Sequence, residues 1–294
     1  MVIKNDLLTA EVDELGAELV SLTAFGKQLL WTADKRFWGR HAPVLFPVVG
    51  KVFDGRYRVD DSVYHLPQHG FARDRRFRQV DEHSFRLVAD DESLAVYPFR
   101  FELNVAYRLL GSVLMVEWTV CNRDVKPIYF QIGAHPGFLY PDFDAADEIH
   151  GFFECFRNGE RVYALQCSSL RDGYVDGDAR KSITLPDGRL PITAALFDND
   201  ALVIEDSQVD RVVLCDKRGK PFLSVCSSQA EVMGLWAPKG TNTPFCCIEP
   251  WCGRADRYGF DGDISQRDYI HSLLPGQFFR FDYSIEFFLS SLNG

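Results

Sequence analysis

Period-2 alternation between large apolar and polar residues restricts this chain more than any other feature. Phe99, Phe101, Leu103, Val105, Tyr107 and Leu109 alternate with Arg100, Glu102, Asn104, Ala106 and Arg108. Near the C-terminus, Phe279, Phe281, Tyr283, Ile285 and Phe287 alternate with Arg280, Asp282, Ser284 and Glu286. Side chains that sort by twos give one face to a core and the other to solvent or a second layer, as in a β-strand. Shorter runs around 7–12, 17–24, 56–59, 63–66, 76–80, 84–89, 113–121, 128–133, 202–205, 211–215 and 222–226 predict further strands. Asp54-Gly55, Asp60-Asp61, Asp187-Gly188 and Arg218-Gly219 fall between runs and predict turns. No 3.6-residue pattern is sustained over a long helix, and only short helical turns are expected near 33–38 and 192–196. The polar, turn-rich stretch 167–191 predicts a long surface excursion. The fold class is therefore mostly β: a large antiparallel β-sandwich, with 1–294 as a single domain lacking both linker and internal repeat.

Composition removes several functions. With 32 basic and 42 acidic residues the chain carries a net charge of −10, which argues against the basic face that nucleic-acid binding needs. It leaves room for one local cationic pocket. The longest apolar stretch, residues 43–49, is too short to span a bilayer. The N-terminus turns charged at once, without the apolar segment of a secretory signal, so the expected location is cytoplasmic. Eight cysteines at 121, 155, 167, 215, 226, 246, 247 and 252 form no Cys-x-x-Cys pair. They are expected to be buried thiols, with neither a metal site nor a cofactor.

Three segments set ionisable groups among apolar residues and turn-formers: residues 66–74 around His69 and Arg73, residues 131–138 around His135, and residues 246–254 around Glu249 and Trp251. In the second and third, an apolar strand meets a polar residue and then a proline, which is expected to stop or redirect it. Strand ends are where a rigid frame projects binding groups. Taken singly, a histidine or glutamate in such a place also fits a purely structural role.

Taken together, His69-Gly-Phe-Ala-Arg73, Gly133-Ala-His135-Pro-Gly-Phe138 and Ile248-Glu249-Pro-Trp251 resemble, in order and spacing, the aldose 1-epimerase (galactose mutarotase-like) family. Residues 43–51 followed by Asp54-Gly-Arg-Tyr57 look like the segment preceding the family's first histidine. The resemblance runs from about residue 5 to residue 288 and is nearest to the LacX-like branch. It implies a galactose mutarotase-like supersandwich and a cofactor-free isomerase that interconverts α and β anomers of a hexose. By motif match, Glu249 is the base, His135 the acid, and His69 a donor to the ring oxygen or a neighbouring hydroxyl. Lys51 stands where the family has a sugar-binding arginine; it keeps the charge but not the planar fork. Either Asp198 or Asp200 matches a sugar-binding aspartate, with Asp200 favoured because it directly precedes an apolar strand. Trp236 and Trp251 are expected as apolar platforms for the sugar. His-Gly-Phe-Ala-Arg is also typical of the hexose-6-phosphate epimerase branch, whose phosphate Arg73, Arg75, Arg76, Lys51, Arg36 and Arg40 could hold. A non-catalytic carbohydrate-binding protein of the same fold is the third alternative. The expected partner is a small sugar, with no nucleic acid or membrane; the oligomeric state is left open.

Overall fold

The two long alternating runs lie in one sheet: Phe101–Leu110 pairs with Val113–Asn122, which pairs with Phe278–Phe287, all antiparallel. Phe101, Leu103, Val105, Tyr107, Phe281, Tyr283, Ile285 and Phe287 are buried, as the alternation requires. Trp118 from the strand between them stacks on Phe281 with ring centroids 5.4 Å apart. Each such ring removed from water stabilises the sandwich by about 1.5–3 kcal/mol. The computed structural model describes residues 1–240 and 242–289; the expected domain 1–294 also includes Thr241 and 290–294, which lie outside the described residues.

Among the described residues, ten strands form this first sheet, and eight form a second. The second runs in the order Tyr174–Thr184, Ala164–Arg171, Leu202–Ile204, Val232–Trp236, Phe245–Cys252, Ile132–Ala134 and Val44–Leu45, with Gly137–Leu139 also pairing Phe245–Cys252. Side chains from both sheets, together with the N-terminal four-stranded sheet, share one apolar core. The architecture is the mostly-β antiparallel sandwich that the alternation announces. In the strand Phe245–Cys252, Cys246, Ile248 and Cys252 enter that core, while Phe245, Cys247 and Trp251 join two smaller clusters on the other face. Glu249 shares that other face by the same alternation. No helix among the described residues is long and apolar enough to cross a membrane.

Several expectations need correction. The stretch 167–191 is no excursion: Ala164–Arg171 and Tyr174–Thr184 make a hairpin that extends the second sheet. Its second strand is exposed on both faces for most of its length, so it shows no apolar alternation. The run 128–133 divides at Gln131, whose side chain accepts from Val49 N–H and donates to Asp268 O, into Ile128–Phe130 and Ile132–Ala134 in different sheets. Around 76–80 only Arg78–Gln79 is a strand. The expected turn at 33–38 is one hydrogen-bonded turn, in which Phe37 N–H and Trp38 N–H both donate to Asp34 O, and Ala194–Phe197 is a short 3₁₀ turn. The single α-helix among the described residues, Asp91–Val96, begins in a reciprocal cap between Asp90 and Ser93. Pro250 does not stop its strand. Trp251 O accepts from Glu231 N–H on one side, so the alternating backbone turns the Pro250 nitrogen to the other. There the neighbouring strand is interrupted between Ala134 and Gly137, and no ladder bond is lost.

Candidate active site

That interruption carries His135. The chain leaves Ile132–Ala134, is turned by Pro136, and resumes at Gly137–Leu139 on the same partner strand. His135 thereby faces Glu249 of the adjacent strand, with Nε2 3.1 Å from Oε2. The approach is off the line of a hydrogen bond: Glu249 Oε2 and His135 Nδ1 are both buried without a hydrogen-bond partner among the described residues. Burial, reinforced by the Asp200 carboxylate, pushes the Glu249 carboxyl well above its ordinary range. Burial, together with the cationic Arg73 and Arg40, pulls the His135 imidazole down to about 3. Each group is driven toward its neutral form, which favours the state in which the pair holds one proton, on one atom or the other.

His69 completes the polar centre, its ring centroid 5.5 Å from that of His135. Gly50 holds it from both sides: Gly50 N–H donates to His69 Nδ1 at 3.1 Å, and His69 N–H donates to Gly50 O at 2.8 Å. With Nδ1 accepting, the proton of the neutral ring sits on Nε2 and is available to donate. The Gln68 side-chain amide lies 3.2 Å from Nε2, and its oxygen is the end that belongs there. Burial, with repulsion from His135, Arg73 and Arg40, holds His69 well below the usual imidazole range, so it is a neutral donor. Its φ of 68° is strained for a residue with a side chain. The next residue must be glycine, because a Cβ on Gly70 would lie 2.2 Å from Phe46 O.

These groups line a cavity of about 360 Å³ on the outer face of the second sheet, together with Trp38, Lys51, Arg73, Asp200, Trp236, Trp251 and Arg254. Trp251 donates its indole N–H to Ala134 O at 3.0 Å and lies against Gly234, where an added Cβ would come within 2.7 Å of the ring. Gly234→Ala is expected to overpack this contact at a cost of about 1–3 kcal/mol. A lower melting temperature with shifted tryptophan emission would show it; an unchanged protein would contradict it.

Asp200 lines the cavity with the His135–Glu249 pair, whereas Asp198 lines only an adjoining outer cavity. Asp200 is held at φ 77°, with its carboxylate accepting from Ala201 N–H at 2.8 Å. Lys51 reaches the cavity, but its ammonium already donates to Asp172 O at 2.9 Å. Arg73 donates to Gln68 O at 2.6 Å, and its buried Nε makes no hydrogen bond among the described residues but lies 3.8 Å from the Asp74 carboxylate; burial and Arg40 lower its pKa to about 10. The larger cationic pocket does not assemble. Arg36, Arg40, Arg75 and Arg76 are not among the lining residues, and each pairs with carboxylates: Asp34, Asp74, Asp90 with Glu92, and Glu14.

Trp38, Gln68 and Arg254 were not singled out by sequence. Trp38 stacks on His135 at 4.7 Å, and Trp236 meets the same imidazole edge-on at 5.4 Å. Arg254 is buried, held by Asp268 at 2.5 Å and Glu205 at 3.0 Å. Trp38 lies in an irregular segment whose local pattern carries no such signal. All eight cysteines are free, six of them buried and Cys121 and Cys226 half-buried. Among the described residues, two trios bring metal-type donor atoms within 4.8 Å of one another, His135 with Cys247 and Glu249, and Glu231 with Cys252 and His271. Neither has a sequence spacing that would reveal it.

The profile describing the aldose 1-epimerase family matches residues 1–286. The chromosomal LacX protein of Lactococcus lactis subsp. lactis is 28% identical over 284 residues, covering 93% of this chain and 94% of that one. A galactose mutarotase related enzyme from Lactobacillus acidophilus superposes with a TM-score of 0.89 at 31% identity, covering 98% of this chain and 97% of that one. A galactose mutarotase-like protein from Lactobacillus casei ATCC 334 gives 0.87 at 28% identity, covering 98% and 99%.

Proposed function

Because the chain belongs to the aldose 1-epimerase family, we propose that it interconverts the α and β anomers of a free hexose by acid–base ring opening. The observation that carries this reading is the buried His135–Glu249 contact at 3.1 Å inside an open cavity. Ionised Glu249 takes the proton from the C1 hydroxyl. The C1–ring-oxygen bond breaks, and His135 delivers its proton to the ring oxygen. The open aldehyde turns about C1–C2, the ring closes on the other face, and both protons return. The single proton the pair shares is the one required: bound sugar places its C1 hydroxyl at the carboxylate while the imidazole carries the proton. His69, fixed as an Nε2–H donor, stabilises negative charge as it develops on oxygen. Trp236 and Trp251 offer apolar faces for sugar C–H groups, and Asp200 accepts from hydroxyls.

A free hexose suits the cavity better than a 6-phosphate. A phosphate dianion calls for converging cations. Here the neighbouring arginines are tied to carboxylates, and Asp200 opposes the charge.

The pH profile tests the shared-proton reading. A second proton on the pair would make a buried cation near Arg73 and Arg40, so activity falls only well below the ordinary imidazole range. Loss of the last proton would make a buried anion facing Asp200, so the alkaline limb lies well above the ordinary carboxylate range. Asp200→Asn removes the negative neighbour and is expected to move that limb to lower pH. An alkaline limb that stays in place, or moves up, would contradict the assignment.

A further inference from the structure

The hairpin between Ala164–Arg171 and Tyr174–Thr184 ends in a two-residue turn, Asp172-Gly173, with φ of 54° and 80°. Beyond Val175 the second strand is exposed almost throughout, so its own packing does little to fix the tip. The tip is held instead from the site. Lys51 Nζ donates to Asp172 O at 2.9 Å and lies 5.6 Å from the Tyr174 ring centroid. Tyr174 packs on Phe53 and Tyr258, and the Arg171 guanidinium lies 3.9 Å over the Tyr258 ring. Lys51 is itself fixed, because its carbonyl accepts from Asp256 N–H at 2.9 Å. Lys51, Leu170 and Gly173 on the tip side, together with Asp200 and Trp236, line both the inner cavity of about 360 Å³ and the outer one of about 580 Å³, so the tip forms one side of the boundary between the two.

We infer that the 171–174 tip, tethered by Lys51, is the partition that restricts the inner cavity to a single sugar ring. Lys51 then acts as a positioning residue rather than as a direct sugar ligand. The inference rests on the cavity being a sugar site but not on turnover.

Lys51→Met and Lys51→Arg, compared with the unaltered protein, test it with two readouts. The first is amide hydrogen exchange of residues 170–175 in the free protein. The second is binding of glucose and of maltose, followed by tryptophan fluorescence. Lys51→Met is expected to speed exchange at the tip by about tenfold, as local opening is freed. It should weaken glucose binding about three- to tenfold and shift the maltose-to-glucose affinity ratio toward maltose by about tenfold. Lys51→Arg, which can still donate to Asp172 O, should restore all three. Weaker glucose binding with unchanged tip exchange would make Lys51 a direct ligand and overturn the inference. Faster exchange with an unchanged affinity ratio would overturn the partition. Sugar binding without anomer exchange would instead remove the catalytic reading and leave this one standing.

Discussion

Glu249→Gln is expected to lower kcat for anomer exchange by about 10²–10⁴-fold, the range for a positioned acid–base group, while KM moves much less. The substitution keeps the shape of a side chain that is 1% exposed on a strand buried along its whole length. It therefore isolates the lost proton acceptor from any change in packing. Burial and Asp200 already make ionisation of this carboxyl costly. A sugar hydroxyl arriving beside it meets a strong base, because a carboxylate held out of water regains much by taking a proton. The readouts are steady-state kinetics and a melting temperature that establishes folding. Near-normal kcat in a folded Glu249→Gln protein would remove the residue as the base.

His135→Asn carries the second large effect. It keeps a polar side chain but removes the group that exchanges a proton with the ring oxygen, so kcat should again fall by about 10²–10⁴-fold. It also removes the ring that Trp38 stacks on and Trp236 meets edge-on, so KM is expected to rise here more than in Glu249→Gln. The two effects should not multiply. Because the pair holds one proton, each member is useful only while the other completes the transfer, and the double variant should be only slightly worse than the poorer single. A double variant whose loss equals the product of the singles would mean that the two act independently.

The parts of this molecule legible in sequence are those with one wet face. Phe101–Leu110 and Phe278–Phe287 alternate because the first sheet has a core side and a solvent side. Phe245–Cys252 and Val232–Trp236, which carry or flank the site, are buried on both faces and show no alternation. The hairpin Ala164–Thr184 fails for the opposite reason: mostly exposed, its second strand reads as loop. Motif order found His69, His135 and Glu249, and the strand-end position of Asp200 favoured it over Asp198. Trp38, Gln68 and Arg254 gave no comparable signal, since what makes them part of the cavity is contact across the fold rather than spacing along the chain. Lys51 is legible only as the residue standing where the family has a sugar-binding arginine; its bond to Asp172 O depends on a hairpin more than a hundred residues away in sequence.

Two-dimensional NMR exchange between the α and β anomers of glucose and galactose, with substoichiometric protein, tests the central claim most directly. Parallel samples contain the corresponding 6-phosphates and the Glu249→Gln protein. The account predicts exchange well above the buffer rate for a free hexose, slower exchange for its 6-phosphate, and return toward the buffer rate with Glu249→Gln. Exchange indistinguishable from buffer for every hexose and 6-phosphate, with folded unaltered protein, would contradict it.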